Sequence, residues 1–391
     1  MPVFSCGGMR YQNGGGNMSL DEIPDEGQKN LEATIHRAVE VGINHIETAR
    51  GYGSSELQLG LVLPKLPREK IIVQTKVGPS EDVKQFIKTV ETSLRTLQLD
   101  YIDLLGLHGI NNRQTLEWSV RPGGCLDAAR ELQRKGLCRH IGFSTHGPTD
   151  VIVDAINHRN PDTGEGFDYV NLHWYYIFQR NWPAIEAATK RDMGVFIISP
   201  SDKGGRLYDP PDKLRKLCSP LDPMVFNDLF CLARPQVHTL SVGAAKPSDF
   251  NVHLDTLPLL DRAAEVLAPI EAKLSQAMRE ATGLPHPEQG VWDLPDPDRV
   301  AGGVNMPIIL WLRNLTVGWD MREYGKMRYN LLGNGGHWFP GQNVSKLDDS
   351  ASRKLRDVLA DTRFGRTVRD LLDEAHDLLA GEEVKRLTES D

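Results

Sequence analysis

Short runs of β-forming residues alternate with amphipathic helical stretches through the first two thirds of this chain. The predicted strands cover residues 3–6, 45–47, 71–75, 102–108, 140–144, 169–173, 195–199 and 239–242. Predicted helices lie between most of them, at residues 27–41, 54–61, 80–97, 125–135, 149–157 and 182–191. Strand–helix alternation predicts parallel strands with helices outside the sheet. Eight such units in about 250 residues favour an α/β fold of the closed (β/α)8 type, the TIM barrel.

The alternative fold is an open, doubly wound sheet. It has less support because no Gly-x-Gly-x-x-Gly pattern follows the first strand. The pattern changes near residue 260, where a helix over 259–282 precedes a proline-rich acidic linker at 285–297. Helical patterns return at 306–330 and 347–391, on either side of a glycine-rich aromatic turn at 333–341. We therefore expect two domains, a barrel at 1–269 and a helical C-terminal extension at 270–391.

Composition excludes several classes of function. The net charge is −8 and no basic run occurs, so we expect no nucleic-acid partner. The longest apolar runs fall far short of the ~20 residues of a membrane span, so we expect no membrane partner. Five cysteines, none in a Cys-x-x-Cys pair, predict neither a disulfide framework nor a metal site and favour a cytoplasmic protein. The sequence carries no signal for an oligomeric state.

Four chemically reactive side chains lie at or just beyond successive strand ends. Glu47 ends the second predicted strand, Tyr52 lies in the following glycine turn, Lys76 follows the third strand, and His108 ends the fourth. Such positions converge on one mouth of a parallel barrel, where this fold carries out its chemistry. Each residue alone also has a structural explanation. Glu47 would cap the next helix and Tyr52 would anchor a loop. Lys76 would be a solvated strand end and His108 a core histidine. Their joint order indicates a catalytic site.

Six motifs that run in order through residues 2–260 resemble those of the aldo-keto reductase family. They are Ile46-Glu47-Thr48-Ala49 with Tyr52-Gly53, Thr75-Lys76, Asp103-Leu104-Leu105-Gly106-Leu107-His108, Ile141-Gly142-Phe143-Ser144, Ser199-Pro200-Ser201-Asp202-Lys203-Gly204-Gly205, and Ser241-Val242-Gly243-Ala244-Ala245. The resemblance implies an oxidoreductase that interconverts a small-molecule aldehyde or ketone with an alcohol, using NADP or NAD.

The resemblance also implies roles for the four residues. Tyr52 is expected to be the general acid/base, and His108 is expected to orient the carbonyl oxygen. A free tyrosine has a pKa of ~10, and a nearby ammonium lowers it. Lys76 is expected to have this effect on Tyr52, and Glu47 is expected to hold Lys76. Glu47 replaces the aspartate that is usual in the family.

Cofactor contacts implied by the resemblance fall into four groups. The loop after the first strand allows the backbone to approach the cofactor closely. Residues at the end of the fifth strand and within the sixth bind the nicotinamide carboxamide. The loop at the end of the seventh strand wraps the pyrophosphate, and the segment after the eighth binds the adenosine phosphate. In chain order these residues are Gly8, Met9, Ser144, Thr145, Asn171, Ser199, Pro200, Ser201, Lys203, Gly204, Gly243, Ala244, Ala245 and Asp249. Asp249 replaces an arginine typical of NADP-preferring members, so the choice between NADP and NAD stays open.

The extension is similar to that of a family subgroup with ferredoxin-like iron–sulfur cysteines. No cysteine follows Cys231 here, so we expect no iron–sulfur cluster. Two other functions stay open. One is a cofactor-binding regulatory or interaction protein with little turnover, which Glu47 and the aliphatic Ile198 at the usual nicotinamide-stacking position make conceivable. The other is a lyase or isomerase that acts on a sugar phosphate.

Overall fold

Eight parallel strands form a closed barrel in which each strand pairs with its sequence neighbour and the last pairs with the first. The computed structural model describes residues 1–12, 19–334, 338–347 and 368–382. The strands are β1 (Phe4–Gly7), β2 (His45–Glu47), β3 (Ile72–Val77), β4 (Ile102–His108), β5 (Cys138–Ser144), β6 (Tyr169–Leu172), β7 (Gly194–Ile198) and β8 (Thr239–Gly243). The predicted (β/α)8 barrel is confirmed, and closure excludes the open sheet.

The helices surround this barrel and continue beyond it. They are α1 (Asp25–Glu40), α2 (Ser55–Gly60), α3 (Val83–Leu97), α4 (Arg113–Val120), α5 (Cys125–Arg134), α6 (Thr149–Asn157), α7 (Trp182–Lys190), α8 (Asp212–Cys218), α9 (Pro223–Leu232), α10 (Phe250–Leu254), α11 (Ala263–Thr282), α12 (Met306–Trp319), α13 (Arg322–Tyr329) and α14 (Val368–Leu379). Helices α4, α8, α9 and α10 were not predicted from the sequence. Among the described residues, no helix has both the length and the apolar character needed to cross a membrane.

Helix α3 illustrates how the sequence fixes an outer helix. The Asp82 side chain accepts hydrogen bonds from the backbone N–H groups of Lys84 and Gln85, which satisfies two donors at the helix start. Such a cap stabilises a helix by about 1 kcal/mol. Apolar residues at helical spacing, Phe86 and Val90 among them, are buried against the barrel. The helix ends at Leu97, and the next residue, Gln98, has a left-handed φ of 55°.

Glycines in β4 and β5 make room inside the barrel for an aromatic ring. A Cβ at Gly142 would lie 2.5 Å from the Tyr169 ring, and one at Gly106 would lie 2.9 Å from Cγ of Lys76. Tyr169 is almost fully buried and stacks on Phe196, with ring centroids 5.1 Å apart. The two glycines therefore leave space for the Tyr169 ring and for the aliphatic stem of Lys76.

A Gly142→Ala substitution is expected to lower the free energy of unfolding by about 1–3 kcal/mol, because the new methyl group overpacks the barrel interior. Urea denaturation measures this loss. Gly51→Ala is the matched control, because a Cβ there meets no heavy atom within 4 Å. Equal losses in the two variants would contradict the packing argument.

The C-terminal helices pack on each other and on the loop after β6. Trp311 of α12 is fully buried, and its Nε1 donates to the carbonyl of Ile177 at 2.7 Å.

The prediction of one continuous helix over 306–330 is wrong, because Asp320 has a φ of 60° and separates α12 from α13. Much of the predicted 347–391 helical segment lies outside the described residues, as do residues 335–337 of the aromatic turn. The boundary expected at 269/270 falls within α11, and the division into two domains remains a prediction.

Candidate active site

The four residues expected to be catalytic lie together at the carboxyl ends of the strands. Glu47 is the last residue of β2, Lys76 lies near the end of β3, His108 ends β4, and Tyr52 lies in the loop between β2 and α2. The Tyr52 and His108 rings meet edge to face, with centroids 5.5 Å apart. The Lys76 Nζ atom lies 4.9 Å from the centre of the Tyr52 ring. The barrel thus brings a phenol, an ammonium, a carboxylate and an imidazole into one cluster.

Glu47 and Lys76 form a buried ion pair. The Lys76 Nζ donates to Oε1 of Glu47 at 2.8 Å and to the carbonyl of Thr48 at 2.9 Å. The Lys76 side chain is only 1% exposed and the Glu47 side chain only 3%. The glutamate, one methylene longer than the usual aspartate, therefore makes the contact with Lys76 directly.

Both members of the pair stay charged. Burial alone would raise the pKa of Glu47, but the Lys76 ammonium holds it below its ordinary value. Burial alone would lower the pKa of Lys76, but Glu47 and then Tyr52 hold it above its ordinary value. The ammonium next to Tyr52 is therefore a permanent positive charge over the ordinary pH range.

The Tyr52 phenol is protonated at neutral pH. Burial raises its pKa above the ordinary value of 10.0, while the Lys76 ammonium opposes that rise. We expected Lys76 to lower the pKa. The Lys76 ammonium does act to lower the pKa of Tyr52. Burial raises that pKa by more, because the phenolate loses its hydration. The result is a proton-bearing hydroxyl beside a fixed cation.

The His108 imidazole is neutral. Burial lowers its pKa to about 3, and the Lys76 ammonium contributes in the same direction. A neutral imidazole carries one N–H donor and one acceptor nitrogen. His108 can therefore hydrogen-bond a carbonyl oxygen without adding a second cation to the site.

We expect no inflection from His108 in the pH profile of kcat/KM between about pH 5 and 8, where an unperturbed histidine titrates. The pKa of about 3 places its protonation below this range. The raised pKa of Tyr52 moves the loss of its proton, and hence the alkaline decline, to higher pH. An inflection near neutrality that disappears in His108→Gln would contradict this assignment.

Ser144 and Asn171 lie at the same level as His108. The strand register pairs His108 with Ser144 and Ser144 with Asn171. The Ser144 Oγ accepts from the N–H of Gly109 at 3.2 Å. The Asn171 Oδ1 accepts from Nε2 of Gln74 at 2.9 Å, whereas its buried Nδ2 has no partner among the described residues. A buried N–H2 group without a partner fits the amide oxygen of a nicotinamide ring.

The Thr145 hydroxyl both donates and accepts hydrogen bonds within the protein. Its hydroxyl donates to the carbonyl of Ile110 at 2.7 Å and accepts from the N–H of Gly147 at 2.9 Å. The side chain is 1% exposed. Thr145 therefore ties together the loops after β4 and β5, and its only hydroxyl proton is already used within the protein.

The loop after β7 makes a tight turn. Ser199 has a φ of 53° and its carbonyl accepts from the N–H of Lys203 at 3.0 Å. A Cβ at Gly204 would lie 1.9 Å from the carbonyl oxygen of Pro200, so this turn requires glycine. The buried Oγ of Ser201 has no partner among the described residues. The predicted pyrophosphate loop is thus a compact turn with one hydroxyl available for a ligand.

The same loop is held by residues that sequence reasoning did not identify. The Lys203 Nζ lies 3.2 Å from Nδ1 of His146 and 3.4 Å from Nε2 of His173. His173 ends the predicted sixth strand, and that position was a signal for it. His146 had no comparable signal.

The C-terminal extension holds this loop from the other side. Arg328 of α13 pairs with Asp202 at 2.5 Å, and the Tyr324 hydroxyl donates to the carbonyl of Lys203 at 2.8 Å. The Lys203 Nζ lies 4.6 Å from the ring centre of Trp338. Nothing in the sequence motifs indicated these contacts, because they join segments far apart in the chain.

The predicted cofactor contacts after β1 and at the end of β8 have contacts within the protein. A Cβ at Gly8 would lie 2.7 Å from the carbonyl oxygen of Glu47, so packing alone explains this glycine. Met9 is half-buried. Gly243 ends β8 and lies beneath Arg10, whose Cδ would be 2.8 Å from an added Cβ.

Ala244 is buried, and the N–H of Ala245 donates to Oδ2 of Asp249 at 2.8 Å. The Asp249 carboxylate therefore takes up a backbone donor that the resemblance assigns to a phosphate. Among the described residues, no group of three or more acidic, histidine or cysteine side chains is arranged to hold a metal ion. The expectation of no iron–sulfur cluster stays a prediction that rests on the sequence.

Comparison with known proteins identifies the family. The model of the Aldo/keto reductase family matches residues 5–206, more than half of the chain. The chain therefore belongs to the aldo/keto reductase family, a family of oxidoreductases. The matched region runs from β1 to just beyond β7, so β8 and the C-terminal helices lie outside it.

Relatives agree with this membership. L-galactose dehydrogenase of Arabidopsis thaliana is 34% identical over 140 residues, which cover 34% of this chain and only 43% of that protein. The uncharacterized oxidoreductase YqkF of Bacillus subtilis is 32% identical over 251 residues, covering 56% of this chain and 79% of YqkF. The solved structure of the aldo-keto reductase AKR11C1 from Bacillus halodurans, in its holo form, has a TM-score of 0.56 at 22% identity. That match covers 69% of this chain and 91% of the other and supports the fold.

Proposed function

We propose that the protein is an NAD(P)-dependent oxidoreductase that interconverts an aldehyde or ketone with the corresponding alcohol. The observation that carries this proposal is the protonated Tyr52 phenol next to the buried Lys76–Glu47 pair. Family membership supports the reaction class. The substrate is a small-molecule carbonyl compound that enters at the mouth of the barrel.

Each catalytic side chain has a distinct task. Tyr52 gives its proton to the carbonyl oxygen as the carbonyl carbon is reduced, and it takes the proton back in the oxidation direction. Lys76 stabilises the phenolate that forms on Tyr52, and Glu47 keeps Lys76 in place. Neutral His108 hydrogen-bonds the carbonyl oxygen and orients it toward Tyr52.

NAD(P)H, when bound, supplies the hydride that the side chains themselves cannot provide. Ser144 and Asn171 would hold the carboxamide, and the loop from Ser199 to Gly204 would hold the pyrophosphate. The segment Gly243–Ala245 would lie near the adenosine phosphate. Because the Asp249 carboxylate lies at this segment, its negative charge would disfavour a 2′-phosphate there, and NADH is the expected preference.

The test is a fluorescence titration of the protein with NADH and, separately, with NADPH, followed by addition of an activated aromatic aldehyde. Loss of the reduced-nicotinamide signal after the aldehyde is added supports the proposal. Failure to bind either nucleotide would overturn it. The ratio of the two dissociation constants tests the preference expected from Asp249.

One observation favours a second candidate, a nucleotide-binding regulatory or interaction protein with little turnover. Ile198 at the end of β7 is aliphatic and 8% exposed, so it offers no aromatic face to a nicotinamide ring. Nucleotide binding without aldehyde reduction, over a range of aldehydes and ketones, would favour this candidate. Binding of phosphate esters without nucleotide binding would instead favour a sugar-phosphate lyase or isomerase.

A further inference from the structure

We propose that His45 and Gln74 are positioning residues that orient the Asn171 amide toward the nicotinamide carboxamide. The inference rests on the proposed function, since it concerns the same nucleotide. It adds two residues from the barrel interior that touch neither nucleotide nor carbonyl substrate. Their role is to decide which end of the Asn171 amide faces the ligand.

A chain of hydrogen bonds runs through the interior below the catalytic cluster. The His45 Nε2 lies 3.0 Å from Oε1 of Gln74, and Nε2 of Gln74 lies 2.9 Å from Oδ1 of Asn171. All three side chains are fully buried. Gln74 lies on β3 and Asn171 on β6, so their contact crosses the barrel rather than following neighbouring strands.

Donors and acceptors in this chain have a single consistent direction. Gln74 Nε2 faces two oxygen atoms, Oδ1 of Asn171 and, at 3.5 Å, the hydroxyl of Tyr169. Gln74 Oε1 must then accept, and its donor is the Nε2–H of a neutral His45. Burial keeps His45 neutral because it lowers its pKa to about 4. The single proton of the neutral ring belongs on Nε2, which faces the Gln74 oxygen, because Nδ1 is buried without a partner among the described residues. The direction places the Asn171 carbonyl toward Gln74 and leaves its N–H2 group for another partner.

That N–H2 group requires an acceptor. The Nδ2 of Asn171 is buried and has no partner among the described residues. Leaving a buried donor unsatisfied costs stability, and buried polar groups in native proteins are nearly always paired. The register places Asn171 level with Ser144 and His108 at the carboxyl ends of the strands. A carboxamide oxygen bound at this level provides the missing acceptor.

Without Gln74 the Asn171 amide is no longer held in one orientation. Rotation of the Asn171 amide by half a turn would present its oxygen to the ligand's oxygen, which is repulsive. The hydrogen-bond chain prevents this rotation because the reversed amide would point its N–H2 at the Gln74 N–H2. His45 and Gln74 thus fix the polarity of Asn171 before the nucleotide arrives.

The experiment compares three ligands in Gln74→Met and in wild type. They are the reduced dinucleotide that wild type prefers, its thionicotinamide analogue, and the matching ADP-ribose, which has no nicotinamide ring. Gln74→Met is expected to weaken dinucleotide binding about tenfold, the loss of about one hydrogen bond. It should leave ADP-ribose binding unchanged and abolish the wild-type preference for the amide oxygen over the weaker-accepting sulfur.

Asn171→Leu should show the same pattern, because it removes the donor itself. Gln58→Met is the matched control, since Gln58 is also a buried glutamine with a side-chain partner, Ser54, at 2.8 Å. If Gln74→Met does not fold, His45→Leu tests the same chain, because it removes the donor that fixes Gln74. The loss of affinity in His45→Leu is again expected only for ligands with a nicotinamide ring.

Three results would overturn the proposal. Equal weakening of ADP-ribose and dinucleotide binding would make Gln74 a purely structural residue. Unchanged dinucleotide binding in both Gln74→Met and His45→Leu would exclude the positioning role and leave the proposed function intact. Absence of nucleotide binding by wild type would reject the proposed function itself, and the positioning role with it.

Discussion

A Tyr52→Phe variant is expected to lose about 10²–10⁴-fold in kcat for aldehyde reduction, the usual contribution of a positioned proton donor. The buried phenol keeps its proton because burial raises its pKa, and the substitution removes that proton while keeping the ring. The edge-to-face contact with His108, at 5.5 Å between centroids, does not depend on the hydroxyl. Steady-state kinetics with a reactive aldehyde measure the loss.

Nucleotide binding separates this effect from misfolding. We expect the dissociation constant of the reduced nucleotide to change little in Tyr52→Phe. Tyr11→Phe is the matched control, because Tyr11 is also a buried tyrosine and has no role in the proposed mechanism. Turnover of Tyr52→Phe at the level of Tyr11→Phe would remove Tyr52 from the mechanism.

A Lys76→Met variant is expected to lose about 3–5 kcal/mol in the free energy of unfolding at neutral pH, because the Glu47 carboxylate is then buried without its counter-charge. The pair is 2.8 Å apart and 3% exposed or less. The variant should also lose aldehyde reduction, because no cation stabilises the phenolate. Urea denaturation at several pH values measures the stability.

The loss of unfolding free energy in Lys76→Met is expected to depend on pH. In wild type the pKa of Glu47 is lowered in the folded state, so its stabilising contribution is present above the unfolded pKa and is lost as pH falls through the folded pKa. In Lys76→Met burial is no longer opposed by the ammonium, and the pKa of Glu47 rises. The variant's deficit should therefore shrink as the pH is lowered and Glu47 becomes neutral.

The double variant Glu47→Leu with Lys76→Met separates stability from catalysis. Replacing both charges of a buried pair by apolar side chains is often neutral for stability. We expect most of the stability to return and the activity to stay lost. A double variant as unstable as Lys76→Met alone would mean that packing, rather than the unpaired charge, causes the loss.

Local sequence patterns predicted the barrel and the cluster of polar side chains at its mouth because both depend on strand ends. Strand–helix alternation determines parallel pairing, and Glu47, Lys76 and His108 follow from where the strands stop. The net pKa of Tyr52 could not be predicted, because it depends on the balance of burial against one charge. Helix α12 also ended at Trp319, before the predicted end at residue 330, because the next residue, Asp320, has the left-handed conformation.

Contacts between distant segments were the main omission. The Gln74–Asn171 bond forms only when the sheet closes, since β3 and β6 are not neighbours. Gly8 and Thr145 were expected to face a nucleotide, but the structure gives each a packing or hydrogen-bonding role within the protein. A motif identifies the residue type at a position, whereas closure of the barrel decides what that residue contacts.

The pairing of Arg328 with Asp202 has a consequence for the order of events during synthesis. The two residues are separated by 126 positions, and domains generally fold from the N-terminus as the chain emerges. The loop after β7 is made early, but the arginine that holds it arrives only with the C-terminal helices. Asp202 therefore gains this partner only after the chain has been synthesised through Arg328.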